Sequence, residues 1–173
     1  MAEAPVTRQQ QGSAPEGEGW FVLNAADASW LTGAFGAFTR FEGDVRFAQF
    51  GLNIGVLQPG QANCYYHAED EQEDFLVLSG ECLLLVEGQE KRLRAWDFVH
   101  CPQWTEHVFV GAGDGPCALL AVGTRLGDRV VYPDSELARR HGAGAARETT
   151  DPDEAYAGVQ PDVPVAFDPD WLT

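Results

Sequence analysis

From Phe35 to Val131 the chain is a succession of short apolar runs broken by glycine and proline, and this spacing restricts the fold more than any other feature. Phe41 opens one run, Phe47 to Phe50 reads as a second, and Leu52 to Leu57 is stopped by Pro59-Gly60. Cys64 to His67 leads into an acidic bend, Glu69 to Asp74, after which Phe75 to Leu78 closes on Ser79-Gly80. Cys82 to Val86 is apolar at nearly every position, which predicts a strand buried on both faces. Gly88-Gln89 reads as a hairpin turn returning through Lys91 to Leu93. Asp97 to Cys101 ends at Pro102, His107 to Val110 follows, and Cys117 to Gly123 closes the series. Eight or more strands at this spacing predict a β-sandwich or barrel.

The flanks have a different period. Residues 1–19 are rich in Ala, Gln, Gly and Glu and are expected to form a disordered tail. A short helix is expected from Asn24 as N-cap, with Trp30 and Leu31 on its apolar face and Gly33 at its end. Residues 20–132 are expected to form the barrel domain, and 133–173 a C-terminal arm with short helices. In that arm Ser135 caps a turn and a half ending in Arg139-Arg140, cations that suit a helix C-terminus. Thr150 or Asp151 caps a second helix with Pro152 at its first position. Phe167 and Trp171 are apolar anchors for an arm that wraps the barrel or a neighbouring subunit.

With 173 residues the chain is expected to make one domain with a substantial core. Its net charge of -16 argues against nucleic acid and anionic membrane as partners, since phosphates are held by Lys and Arg. No apolar run approaches the ~18 residues of a membrane span, and the first twenty residues have neither a basic stretch nor an apolar core. A cytoplasmic protein is expected. In a reducing compartment Cys64, Cys82, Cys101 and Cys117, which include no Cys-x-x-Cys pair, are read as reduced core residues.

Against this background, two imidazoles and several carboxylates stand out. Alternate residues of a strand share a face, so His67 and Glu69 converge if the segment is extended. Glu73 shares a face with Phe75 and Val77, which sets a carboxylate among apolar neighbours. Such a group needs a proton or a cation partner. His107 opens a strand some forty residues on, suited to meet the first set across a barrel. The pattern is that of a metal site inside a β-barrel, with Gln72 an alternative to Glu73 if the bend differs by one residue. Asp70 and Glu71 read as solvent-facing bend. His100, Cys64 and Cys101 are further candidates to line the pocket, the cysteines more simply as buried thiols. Tyr66, Trp96, Trp104 and Phe109 are core or pocket wall.

Two motifs in this region resemble those of the cupin family. The first is Gly60, six residues, His67-x-Glu69, three residues, Glu73, six residues, Gly80; the second is Trp96-Asp97, Pro102 and His107. The resemblance covers about Gly51 to Gly123. It implies an all-β fold, a double-stranded jelly-roll β-barrel (cupin) with short helices near the N-terminus and in the C-terminal arm. It implies His67, Glu73 and His107 as metal ligands. Glu69 stands where the family has histidine, Trp96 where it has glycine before the aspartate, and Trp104 near the glycine that follows the proline. Glu69 is thus either a fourth ligand or a general base.

The resemblance further implies one divalent metal ion per chain, Fe, Mn or Zn. Two histidines and one carboxylate suit non-haem Fe(II). The expected function is that of a metal-binding cupin, possible activities being those of a mononuclear dioxygenase-like enzyme or an isomerase acting on a small organic molecule. The alternative is a non-catalytic module that holds a metal or small ligand. A homodimer with exchanged terminal segments is expected. Arg40, Arg46, Arg92, Arg94 and Arg125 are spread along strands, and one of them is a candidate to meet a substrate carboxylate.

Overall fold

The structure is a computed structural model and describes residues 1–9 and 12–172. Its strands are β1 (Val6–Gln9), β2 (Gly12–Pro15), β3 (Trp30–Gly33), β4 (Gly36–Arg40), β5 (Phe50–Leu57), β6 (Ala68–Glu69), β7 (Glu73–Ser79) and β8 (Glu81–Val86). They continue as β9 (Gln89–Arg94), β10 (Phe98–Cys101), β11 (His107–Ala112), β12 (Cys117–Thr124), β13 (Val130–Val131) and β14 (Val163–Val165). Two short α-helices follow the main strands, α1 (Glu136–Arg140) and α2 (Pro152–Ala155).

Two antiparallel sheets face each other in a jelly roll. The larger has the order β10-β7-β12-β5-β4-β3-β14 and the smaller β11-β8-β9. Single bridges Ala62↔Val110 and His67↔His107 lay the 62–67 segment along the free side of β11. The core between the sheets joins Leu57, Phe75, Val77 and Leu119 of the larger to Cys82, Leu84 and Phe109 of the smaller. β8 is covered on both faces as its composition predicts: Leu85 packs outward with Val108, Val110, Ala138 and Ala143, so α1 closes that side. Strand alternation alone sorts β8 into these two sets.

Several expectations are corrected. The described residues before Trp20 are not a loose tail: β1 and β2 pair antiparallel, Ala4 and Ala14 are buried, and Glu3 bridges Trp20. The helix after Asn24 is only a 3-10 turn, Ala25–Asp27, capped by the Asn24 side chain accepting from the Ala26 amide. Trp30 and Leu31 begin β3, because Trp30 has a sheet face to bury and is 1% exposed. No strand forms at Phe41 or at Phe47–Gln49; Phe50 opens β5 instead. Both C-terminal helices form as read, with Ser135 and Asp151 as N-caps. The arm wraps its own barrel: β14 pairs with β3, and Phe167 and Trp171 stack on Trp30 at 5.7 and 5.0 Å between ring centres. Among the described residues no helix is long and apolar enough to cross a membrane.

Candidate metal centre

Three elements deliver the site. The bridge between His67 and His107 sets their backbones side by side, with amide-to-carbonyl bonds of 3.2 and 2.8 Å, so both imidazoles project to the same side. Glu73 opens β7, and Gln72 before it points elsewhere, donating to Asp74 Oδ2. The bend therefore presents Glu73 and not Gln72 to the histidines.

Glu73 Oε2 lies 3.2 Å from His107 Nε2 and 3.9 Å from His67 Nε2. One ligand atom from each of His67, Glu73 and His107 lies within 4.8 Å of the other two. Each ring is oriented from behind. His67 Nδ1 donates to the Tyr65 carbonyl at 2.8 Å, and His107 Nδ1 to the Thr105 carbonyl at 2.9 Å. With Nδ1 committed as donor, each neutral ring carries its free lone pair on Nε2, the atom that faces Glu73. Two imidazole nitrogens and one carboxylate oxygen, all largely buried, fit a divalent ion of the Fe(II), Mn(II) or Zn(II) type.

The four titratable groups press on one another. Burial and the neighbouring His107 charge lower the basicity of His67. Burial also pulls His107 down, but its hydrogen bond to Glu73 and that carboxylate's charge outweigh it, and the net direction is up. Burial raises Glu73, whereas the His107 bond and the two imidazoles hold it below the ordinary carboxylate value. Glu69 is pushed up to about 7 by burial and by the carboxylates of Glu73 and Glu71. Its Oε1 is 3.5 Å from His67 Nε2, but Glu69 stays outside the three-residue set.

The cavity in front of these groups has a volume of about 270 Å³ and an apolar wall of Phe35, Phe38, Leu57, Phe75 and Leu119. Cys64 lines it, with Sγ 3.5 Å from His67 Nδ1, and its thiol is pushed well up by burial. Cys101 does not; it belongs to the core between the sheets. His100 also stays away, bonded to Asp74 Oδ1 at 2.6 Å on the outer surface. Tyr66 and Phe109 are core, while Trp96 and Trp104 are exposed. Asp70 is not solvent-facing: it is buried and accepts from the Arg129 amide and Nε. Glu71 accepts from the Gly127 amide. These bonds anchor the acidic bend to the 127–129 segment, which explains its acidity without a ligand role.

Sequence reading missed the layer behind the histidines. Tyr132 stacks on His67 at 6.0 Å, Tyr156 packs on Tyr132 and Tyr65, and the Tyr65 amide donates to the Tyr156 hydroxyl. It also missed Phe35, Phe38 and Asn53 in the cavity wall. For Phe38 and Asn53 the available signal was the inward alternation of β4 and β5, which does not separate pocket from core; Phe35 precedes β4 and had none.

The comparisons with known proteins agree with this architecture. Residues 53–123 match the family described as the cupin domain. Among solved structures, the polyketide cyclase RemF from Streptomyces resistomycificus is 15% identical, with 63% of this chain and 82% of that one covered and a TM-score of 0.55. An RmlC-like cupin from Shewanella frigidimarina is 18% identical, with 58% and 86% covered and a TM-score of 0.51. A candidate sugar phosphate isomerase from Acidithiobacillus ferrooxidans is 27% identical, covers 54% of this chain and has a TM-score of 0.45; this chain spans 63% of its length, less than two thirds. No curated protein matches the sequence. The matched stretch runs from β5 to β12 and contains all three convergent side chains, so the likeness to the cupin domain holds over the part of the chain that carries the site.

Proposed function

We propose that this chain is a mononuclear metal-dependent enzyme of the dioxygenase-like kind, acting on a small organic molecule such as an enol or aromatic diol, and working as a homodimer. The observation that carries the reading is the convergence of His67 Nε2, His107 Nε2 and the Glu73 carboxylate, with both Nδ1 atoms tied to backbone carbonyls. In this reading these three residues hold one divalent ion. The ion supplies Lewis acidity and open coordination positions to substrate. The remaining work belongs to the chain. The Tyr65 and Thr105 carbonyls keep the imidazoles in the tautomer that presents Nε2. The phenylalanine wall excludes water and strengthens every polar contact inside. Glu69, beside His67 but outside the three-residue set, takes a proton from the substrate.

The test begins with protein purified without an affinity tag. Elemental analysis is expected to find about one Fe, Mn or Zn per chain, as three donors of this kind predict. Glu73→Ala is expected to lose that metal, and Fe(II)-loaded protein to consume oxygen with members of a panel of catechols and enolisable keto acids. Protein without bound metal whose thermal midpoint is unmoved by added Fe(II), Mn(II) or Zn(II) overturns the reading. Tight metal with no oxygen uptake across the panel removes the dioxygenase reading and leaves a binding module.

A further inference from the structure

Beside Glu73, on the inner face of the larger sheet, the strand register lays out two rows that lead from the metal centre to the edge of the barrel. One row is Phe75, Ala121, Asn53 and Arg40, each directly opposite the next across β7, β12, β5 and β4. The row beside it is Glu73, Gly123 and Gly51. Directly opposed residues share a face, so Arg40 stands at the far end of the wall that carries Asn53. The two glycines leave room in the adjoining lane for the Glu73 and Arg125 side chains. A Cβ at Gly123 would lie 3.6 Å from the Glu73 side chain, and one at Gly51 would come within 2.8 Å of the Arg125 guanidinium.

The hollow over this lane has a volume of about 440 Å³ and is lined by both Glu73 and Arg46, with Asn53 and Glu73 also lining the inner cavity. Arg40 and Arg46 both line a neighbouring recess, again with Asn53. The chain has only eleven cationic side chains against twenty-seven acids, yet three arginines gather here. Their duties differ. Arg125 is consumed by a two-pronged pair with Glu42 at 2.5 and 2.8 Å. Arg40 lies over the Phe38 ring, and among the described residues neither Arg40 nor Arg46 has a carboxylate within ion-pair distance.

We infer that Arg40 and Arg46 form an anion-recognition subsite that takes the carboxylate of a small organic acid whose other end reaches the metal centre. A guanidinium offers a planar fork matched to a carboxylate. Asn53, at the midpoint, supplies an amide to a polar group in the middle of the ligand. The inference rests on the metal-centre reading only for the fate of the ligand's far end.

The experiment titrates the full chain, loaded with Mn(II), with pyruvate, succinate and benzoate, with the corresponding amides, and with inorganic phosphate, followed by calorimetry. At least one carboxylate is expected to bind at least about tenfold more tightly than its amide, the size of one lost charge-assisted contact. Arg40→Gln and Arg46→Gln, both on exposed side chains, are expected to weaken that acid by about tenfold or more each, leaving metal content and amide binding unchanged. Carboxylate binding that neither variant changes overturns the subsite, as does phosphate binding more tightly than every carboxylate. Metal without any carboxylate binding sinks this inference alone. Arginine-dependent carboxylate binding to protein that takes up no metal sinks the metal-centre reading and leaves the subsite standing.

Discussion

Trp96 stands where the cupin motif has glycine, and its backbone shows what that substitution leaves behind. Its φ is 75°, and the Trp104 φ is 66°, both in the left-handed region. At Gly60 and Gly80 the same hand of backbone is met by glycine, with φ of 80° and 71°. The turn at Trp96 survives because Asp97 holds it: Oδ2 accepts from the Arg94 amide at 2.9 Å, and the Trp96 amide donates to Val77 at 2.8 Å. A bulky residue in this region costs about 1–2 kcal/mol, and glycine returns part of that as chain entropy. Trp96 is 76% exposed, so little packing is lost on truncation. Trp96→Gly is therefore expected to raise stability by roughly 1 kcal/mol in urea unfolding; a lower midpoint for the variant would show that the indole has a partner this account lacks.

Among the elements, those marked by apolar runs and their stops were legible and those held by side chains were not. β5, β7, β8, β11 and β12 follow from apolar runs and their stops, and the convergence of His67, Glu73 and His107 was legible because the motif spacing sets Glu73 and His107 at strand starts and His67 just before β6. The Phe41–Gln49 segment misled, since its phenylalanines mimic strand residues. It is a clamp instead. Arg125 holds both Glu42 oxygens and the Phe47 carbonyl, while the Phe47 amide donates to Glu42 Oε1. Nothing local in the sequence announces a contact 83 residues long. The hydrogen bond from Arg125 is the main reason why the Glu42 carboxyl is held below its ordinary value of 4.5. A depressed carboxyl stabilises the fold fully above the unfolded value and loses that contribution as pH falls through the folded one. Glu42→Gln is thus expected to cost about 2 kcal/mol at neutral pH. The gap to wild type should shrink as pH falls below 4.5. Equal losses for the variant at pH 7 and at the acid end of the titration would remove the clamp from the account of acid stability.

At the scale of the whole molecule, charge decides where two copies can meet. Each carries a net charge of -16, so association at a charged face is opposed by every carboxylate on it. The outer face of the larger sheet offers an alternative. Phe98, Leu76, Leu120 and Ile54 stand directly opposite one another across β10, β7, β12 and β5, an apolar row with no charge in it. The C-terminal arm packs against the Ile54 end of this face, through Phe167 and Trp171, and leaves Phe98 at the other end 65% exposed on an edge strand. A two-fold axis through that edge would place the β10 strand and the Phe98 ring of one copy against those of its partner, a self-matching contact. The terminal segments expected to be exchanged between subunits have their partners within a single chain here, through β14 on β3 and β2 on β1, so the sheet face carries the dimer in this proposal. Light scattering is expected to give a dimer at about 0.15 M salt, loosening towards about 0.01 M as screening falls and the two acidic bodies repel. Phe98→Glu, on an exposed side chain that the fold does not need, is expected to give a folded monomer at both salts. A wild-type monomer at micromolar concentration under both conditions would count against the dimer itself; a dimer untouched by Phe98→Glu would move it to another face.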